Sequence, residues 1–190
     1  LYHCIRMPEG EILNRYKDEW NTPRPESYRE DVELAKASQL PAAELYGHLR
    51  AGAESGWDFS SRWFRDGLHF ETIHTTEIVP VDLNLLLWQL EQSVSAACMQ
   101  TGDPEASYYS EQARKRMAAI QKYCWNEELG FYTDYDTSKK DQKNILSLAG
   151  AMALFFKAAT QEQAHRMQQI ISSQFLYPGG LVATLQETGQ

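Results

Sequence analysis

Residues 83–124 decide the fold class, and their sequence is LNLLLWQLEQSVSAACMQTGDPEASYYSEQARKRMAAIQKYC. A first apolar stripe recurs at helical spacing and consists of Leu83, Leu86, Leu87, Leu90, Val94, Ala97 and Cys98. Gly102-Asp103-Pro104 then ends one helix and starts the next. A second stripe follows and consists of Tyr109, Ala113, Met117, Ile120 and Cys124. Because a connection this short makes the two helices antiparallel, the stretch predicts a helical hairpin.

A second hairpin is predicted downstream of the first. Residues 143–158 and 161–175 both have helical patterns, and the segment between them is short. Thr160 and Gln163 have the spacing of a capping box, which places the start of the later helix.

Two more helices are predicted upstream of residue 83. Ser27 and Glu30 have capping-box spacing and open a helix over residues 31–38, and a further helix runs over residues 41–54. The segments predicted to be irregular or extended are residues 1–28, 56–74 and 130–136. Repeated helix pairs joined by long aromatic-rich loops predict an all-α fold, either an α/α toroid or a helical solenoid. No repeat of fixed period is present, which disfavours the solenoid.

Composition and charge exclude several classes of function. The 190 residues suffice for one domain, and 18 Lys and Arg against 26 Asp and Glu give a net charge of −8. Nucleic-acid binding needs a basic face, so we expect no nucleic-acid partner. No stretch approaches the ~20 apolar residues of a membrane span, so we expect no membrane partner. The five His and three Cys lack metal-ligand spacing, and we expect no metal site.

Asp58 is the candidate for acid–base chemistry. It stands between Trp57 and Phe59 in the segment ESGWDFSSRW, residues 54–63. Apolar neighbours would desolvate the carboxyl and raise its pKa, as a general acid requires. The alternative is a structural role as a helix N-cap, which is the commoner fate of an Asp that follows Gly by two positions.

Arg24 and Glu26 form a second candidate pair. Pro23 and Pro25 restrict the backbone around them, which would fix where a guanidinium and a carboxylate point. Such a pair suits hydrogen bonding to sugar hydroxyls. The alternative is a surface ion pair of little energetic value.

Several segments together resemble one enzyme family, in one order along the chain. ESGWDFSSRW (54–63) is similar to the segment around the catalytic acid of trehalases, the inverting glycosidases of glycoside hydrolase family 37. PRPESYRED (23–31) resembles the sugar-binding loop of that family, and MPEGEILNRY (7–16) the stretch before it. TTEIVPVDLN (75–84) resembles the segment with which a long helix begins in that family. PGGL (178–181) resembles the segment that precedes a further sequence signature of the family.

The resemblance implies a fold and a set of roles. It implies an (α/α)6 toroid, with residues 1–190 as an internal part of one catalytic domain of a bacterial trehalase. Asp58 would be the general acid, and the substrate-binding residues would be Arg24, Pro25, Glu26, Gly56 and Trp57. The general base would lie outside this chain, so we expect these residues alone to be inactive. The complete enzyme would hydrolyse α,α-trehalose with inversion as a monomer, without metal or cofactor, in periplasm or cytoplasm.

Two alternatives stay open on the sequence. One is an α/α-toroid glucosidase of another linkage specificity. The Arg24–Glu26 loop and the Asp58 segment occur together here, and this combination favours a trehalase over such a glucosidase. The other is a non-catalytic helical-hairpin domain that binds a protein or a sugar. Activity on trehalose and the effect of replacing Asp58 distinguish them.

Overall fold

Helices form most of the regular structure in the computed structural model, which describes residues 2–57 and 59–188. The helices of this part of the chain are α1 (Tyr28–Ala37), α2 (Ala42–Glu54), α3 (Val81–Thr101), α4 (Ala106–Cys124), α5 (Met152–Phe155) and α6 (Gln161–Ile170). Asp58 lies outside the described residues, so its predicted position in the site is not a structural finding.

Short antiparallel strands connect the helices, which makes the all-α prediction incomplete. The strands are β1 (Cys4–Arg6), β2 (Ile12–Asn14), β3 (Ile78–Val79), β4 (Trp125–Asn126), β5 (Phe131–Tyr132), β6 (Tyr135–Asp136), β7 (Asp141–Gln142), β8 (Leu176–Tyr177) and β9 (Gly180–Leu181). They pair as β1-β2, β3-β6-β7, β4-β5 and β8-β9. Backbone polar groups of packed connections need partners, and these ladders supply them.

The strands correct one prediction about the connections and confirm another. Residues 1–28 were expected to be irregular, but β1 and β2 form a hairpin in which Cys4 pairs with Asn14. The extended structure expected over residues 130–136 is confirmed by β5 and β6.

The α3–α4 hairpin is confirmed, and Gly102 ends α3 in the left-handed conformation at φ 73°. The inward face of α3 differs from the prediction. Leu86 and Leu90 are 44% and 57% exposed, whereas Val81 and Leu85 are buried. An almost unbroken apolar run such as 83–87 has no strong periodicity, so the spacing alone did not decide which face turns inward.

The start of α1 also differs from the sequence prediction. The helix begins at Tyr28 rather than at residue 31, and the Ser27 side chain forms no capping hydrogen bond. The carboxylate of Asp31 instead accepts hydrogen bonds from the backbone and side chain of Arg24. The chain before α1 is therefore fixed by Asp31, and the predicted Ser27–Glu30 capping box is absent.

The helix predicted over residues 143–158 is shorter in the structure. The 3-10 turn Leu148–Ala151 continues into α5, while Lys143 is extended and donates its backbone N–H to Asp134. This bond continues the β6–β7 ladder and leaves residue 143 unavailable to a helix. The capping box of Thr160 and Gln163 at the start of α6 is confirmed.

Two apolar clusters form the core of the described residues. The larger packs α3, α4 and α6 around buried side chains that include Leu85, Ile120 and Phe131. The smaller joins α2 to the segment after it through side chains such as Leu49 and Trp63. Trp57 packs against both clusters, so the residue before Asp58 lies where they meet.

Candidate active site

Arg24 is held rigidly by Asp31 of α1. The guanidinium donates through Nε to Oδ2 at 3.1 Å and through Nη2 to Oδ1 at 2.7 Å, and the backbone N–H donates to Oδ2 at 2.8 Å. The Arg24 side chain is 11% exposed and that of Asp31 is 2% exposed. Such two-pronged, charge-assisted pairing fixes the plane of the guanidinium. Nη1 forms no hydrogen bond within the described residues.

The loop that precedes Arg24 is fastened to α2 by Arg50. The guanidinium of Arg50 donates to the carbonyl oxygens of Thr22 at 2.6 Å and Pro23 at 3.0 Å. It also contacts the carboxylate of Asp18 at 3.3 Å. The loop therefore has anchors on two helices, Asp31 on α1 and Arg50 on α2.

Pro25 and Glu26 lie on the exposed side of this loop. They belong to the 3-10 turn Pro25–Ser27, which leads directly into α1. The Glu26 carboxylate has no hydrogen bond or ion pair among the described residues, and Arg24 pairs with Asp31 instead. The alternative of an Arg24–Glu26 surface ion pair is therefore wrong, and the Glu26 carboxylate is open to solvent or ligand.

The segment around Asp58 leaves α2 through a tight turn. The Ser55 hydroxyl donates to the Gly52 carbonyl at 2.5 Å and accepts from the Trp57 backbone N–H at 3.0 Å. Gly56 is exposed and has φ +70°, a conformation that side chains disfavour. Trp57 is half-buried, and its carbonyl accepts a hydrogen bond from the Trp63 indole N–H at 2.9 Å.

Phe59 brings the two predicted site segments together. The Arg24 guanidinium carbon lies 4.8 Å from the centre of the Phe59 ring. The ring also packs on Phe70, with centroids 4.7 Å apart, and lies against α2 at Gly52. A cation over an aromatic face is attracted by the ring quadrupole. The predicted sugar-binding loop and the predicted acid segment are thus in direct contact.

A buried ion network beneath this segment was missed by the sequence reasoning. Arg62 pairs with Asp82 at 2.5 Å and with Asp134 at 2.7 Å, and all three side chains are at most 4% exposed. Burial opposes the charge on Arg62, but the two carboxylates more than offset it and raise the pKa of its guanidinium. A sequence signal existed only for Asp82, which is the one charge in the apolar run 78–87, because buried charges are usually paired.

A second buried polar cluster contains His74, Asp136 and Lys143. His74 Nε2 lies 3.3 Å from the Asp136 carboxylate, and Lys143 Nζ donates to the Phe64 carbonyl at 2.9 Å. Burial lowers the pKa of Lys143 to about 8 and also lowers the pKa of His74. These groups hold the β6–β7 ladder against the segment that follows Arg62.

No cluster of three or more His, Cys, Asp or Glu side chains among residues 2–57 and 59–188 is arranged to hold a metal ion. Within the same ranges, no helix is both long and apolar enough to cross a bilayer. The candidate site consists of the anchored Arg24, the open Glu26 carboxylate and the aromatic-lined turn at Gly56.

Comparison with solved structures identifies similar folds. The chain is similar to neutral trehalase Nth1 from Saccharomyces cerevisiae, with 26% sequence identity and a TM-score of 0.75. That match covers 99% of this chain and 39% of the yeast chain, so the chain spans well under half the length of that relative.

Two more distant structures share the fold alone. A GH63 mannosylglycerate hydrolase from Thermus thermophilus, solved with Tris, is 17% identical with a TM-score of 0.51, and the match covers 89% of this chain and 39% of that one. A sialidase is 16% identical with a TM-score of 0.53, over 63% of this chain and 12% of that one. The trehalase family model, in contrast, matches residues 1–190. The chain belongs to the trehalase family of glycoside hydrolases.

Proposed function

We propose that this chain forms part of a catalytic domain that hydrolyses α,α-trehalose to two glucose molecules with inversion. The observation that supports this best is the contact between Arg24 and Phe59. It joins the loop that resembles the family's sugar-binding loop to the segment that resembles its acid segment. A donor for hydroxyl groups and a proton donor can then act on one disaccharide.

Asp58 is the general acid in this proposal. Its carboxyl transfers a proton to the bridging oxygen as the bond from that oxygen to C1 of the sugar that water attacks breaks, so the other glucose leaves with the oxygen. Trp57 is half-buried and Phe59 packs on Phe70. Apolar surroundings of this kind keep a carboxyl protonated near neutral pH.

The remaining site residues bind and orient the sugar. Arg24 donates through Nη1 to a hydroxyl, and the open Glu26 carboxylate accepts from another. Pro25 fixes the backbone between them. Gly56 leaves space for the sugar to approach the backbone, and Trp57 forms a wall of the pocket. Groups oriented before the substrate arrives lower the entropic cost of reaching the transition state.

Water attacks C1 from the face opposite the departing oxygen, and a general base removes its proton. We propose that this base is a carboxylate outside this chain. Inverting glycosidases hold acid and base roughly 6.5–9.5 Å apart, which leaves room for the water. One α- and one β-glucose result from each trehalose.

The proposed fold is a single (α/α)6 toroid to which residues 1–190 contribute a part. The exposed Leu86 and Leu90 on α3 support this, because further helices of the toroid would cover them. On this proposal the 190 residues alone are inactive.

Replacement of the acid tests the function. In the complete protein that contains this chain, Asp58→Asn should lower kcat on trehalose by at least ~100-fold while KM changes little, because the proton donor is lost and binding is kept. Asp103→Asn in the α3–α4 connection is the matched control and should behave as the unmodified protein. Unchanged turnover by Asp58→Asn refutes the acid role, and preference for maltose refutes the substrate. Proton NMR of fresh product should give α- and β-glucose in equal amounts.

A further inference from the structure

Arg62 donates hydrogen bonds through all three of its guanidinium nitrogens to two carboxylates from distant parts of the chain. Nε and Nη2 donate to Asp134 at 2.7 and 3.0 Å, and Nη1 and Nη2 donate to Asp82 at 3.1 and 2.5 Å. Asp82 lies in the first turn of α3, and Asp134 lies between β5 and β6. One side chain therefore ties the acid segment to a helix and to a strand connection.

The same guanidinium lies over the rings of two tryptophans. Its central carbon is 5.0 Å from the Trp57 ring centre and 4.3 Å from the Trp63 ring centre. Trp57 immediately precedes the proposed acid. Trp63 in turn donates its indole N–H to the Trp57 carbonyl. Arg62 thus touches both the side chain and the hydrogen-bonding partner of the residue next to Asp58.

We propose that Arg62 is a positioning residue for the hydrolytic reaction, which holds Trp57 and thereby the general acid in the geometry that proton transfer requires. This inference rests on the proposed function of Asp58. Arg62 is 1% exposed, so it acts through the segment rather than on the sugar.

The geometry requires arginine rather than any cation. A lysine ammonium is a compact charge and cannot pair in two-pronged fashion with two carboxylates. Asp134 also accepts the backbone N–H of Val81 at 2.9 Å, so its position is fixed independently of Arg62. Loss of the guanidinium should therefore free the acid segment, while Asp134 stays in place through its hydrogen bond with Val81.

The charges of this cluster provide a second readout. Asp82 and Asp134 carry two negative charges against the one positive charge of Arg62, and the other titratable groups that face them are Tyr16, Cys124 and the cation Lys143, which faces Asp134. Burial and, after it, the charge of Asp82 raise the pKa of Tyr16 to about 12. Removal of the Arg62 charge would leave more negative charge behind Trp57. A negative field favours the protonated form of a nearby acid, so the alkaline limb of the pH–rate profile should move to higher pH.

The test uses Arg62→Lys and Arg62→Met in the complete protein. The matched controls are Arg116→Lys and Arg116→Met, because Arg116 also forms a two-pronged pair, with Glu91, and its side chain is 14% exposed. Its contacts among the described residues include none with the acid segment. The measurements are kcat and KM on trehalose per folded molecule, with the folded fraction from circular dichroism, and the pH–rate profile.

We expect Arg62→Lys to lower kcat by about 10- to 100-fold with KM within about threefold, since small displacements of a catalytic group cost this much. The Arg116 variants should keep kcat within about twofold. Arg62→Met should shift the alkaline limb upward, which a loss of folded molecules cannot do. If Arg62→Met does not fold, the kcat of Arg62→Lys decides alone.

Two results overturn the inference. One is an Arg62→Lys protein with unchanged kcat per folded molecule, and the other is a loss of kcat that the Arg116 variants share. In either case trehalose hydrolysis by the unmodified protein leaves the proposed function intact. An unmodified protein that does not hydrolyse trehalose refutes both proposals.

Discussion

Replacement of Gly52 by alanine is a sharp test of how the acid segment is packed. A β-carbon at this position in α2 would lie 2.7 Å from Cε1 and 3.3 Å from Cδ1 of the Phe59 ring. The ring cannot easily move away, because Phe70 packs on it at 4.7 Å and the Arg24 guanidinium lies at 4.8 Å. The added methyl must therefore displace the residue that follows Asp58.

Two opposing terms set the size of the effect on stability. Alanine in a helix interior is better than glycine by about 1 kcal/mol, whereas overpacking costs about 1–3 kcal/mol. We expect Gly52→Ala to lower the free energy of unfolding by about 0–2 kcal/mol. We also expect a loss of at least ~10-fold in kcat on trehalose, because the displaced ring is next to the proposed acid.

Gly47 on the same helix provides the control. Its added β-carbon would have no heavy atom within 4 Å, so Gly47→Ala should gain up to about 1 kcal/mol from helix propensity and keep full turnover. Urea unfolding followed by tryptophan fluorescence measures the stabilities, and trehalose turnover measures the activity. If Gly52→Ala is as stable and as active as Gly47→Ala, Phe59 does not fix the acid segment.

Three further predictions concern the frame of the site. Asp31→Asn should raise KM for trehalose about tenfold with a smaller effect on kcat, because Arg24 loses its ion pair, and steady-state kinetics measure this. Burial lowers the pKa of His48 to about 4 in the folded protein. In the unfolded chain this histidine binds a proton as the pH falls below about 6.5, whereas in the folded protein it does so only near pH 4. Stability should therefore fall by up to about 3 kcal/mol between pH 6.5 and 4 in urea titrations. Gly150→Ala should cost about 3 kcal/mol or more in the same titrations, because its β-carbon would overlap the carbonyl oxygen of Tyr132.

The first two of these predictions have matched control variants. Glu33→Gln removes an exposed ion pair of the same helix as Asp31 and should leave KM unchanged, so an equal effect of both would contradict the role of Asp31. His48→Gln should flatten the pH dependence, whereas the exposed His165→Gln should not. A normal free energy of unfolding in Gly150→Ala would mean that residues 131–150 pack differently.

The helices that the sequence predicted best are those with strong local signals. The α3–α4 connection has Gly102 at a left-handed position, and α6 has a capping box formed by Thr160 and Gln163. Both signals act within a few residues, so one sequence is enough to interpret them. The face of α3 was predicted wrongly because distant partners decide it. Asn84 is buried through hydrogen bonds with Asn14, 70 residues away.

The candidate site was predictable only where its signals lie within a short stretch of sequence. Local motifs and family resemblance pointed to Arg24 and to the turn through Gly56 and Trp57. One alternative predicted an ion pair between Arg24 and Glu26. Arg24 instead pairs with Asp31, because the start of α1 brings the Asp31 carboxylate beneath the loop. The anchor Arg62 could not be predicted, since its partners come from elements far along the chain.

The separation between Arg62 and its partners has a consequence for biosynthesis. Asp82 follows it by 20 residues and Asp134 by 72. A ribosome must therefore release the whole α3–α4 hairpin before the second carboxylate can reach the guanidinium, and closing so long a loop is entropically costly until many contacts form together. Until then the nascent segment has an incompletely neutralised cation among hydrophobic rings. Order around the turn at Gly56 therefore follows the synthesis of Asp134, and a ribosome that stalls between the two acidic residues would expose this segment to chaperones.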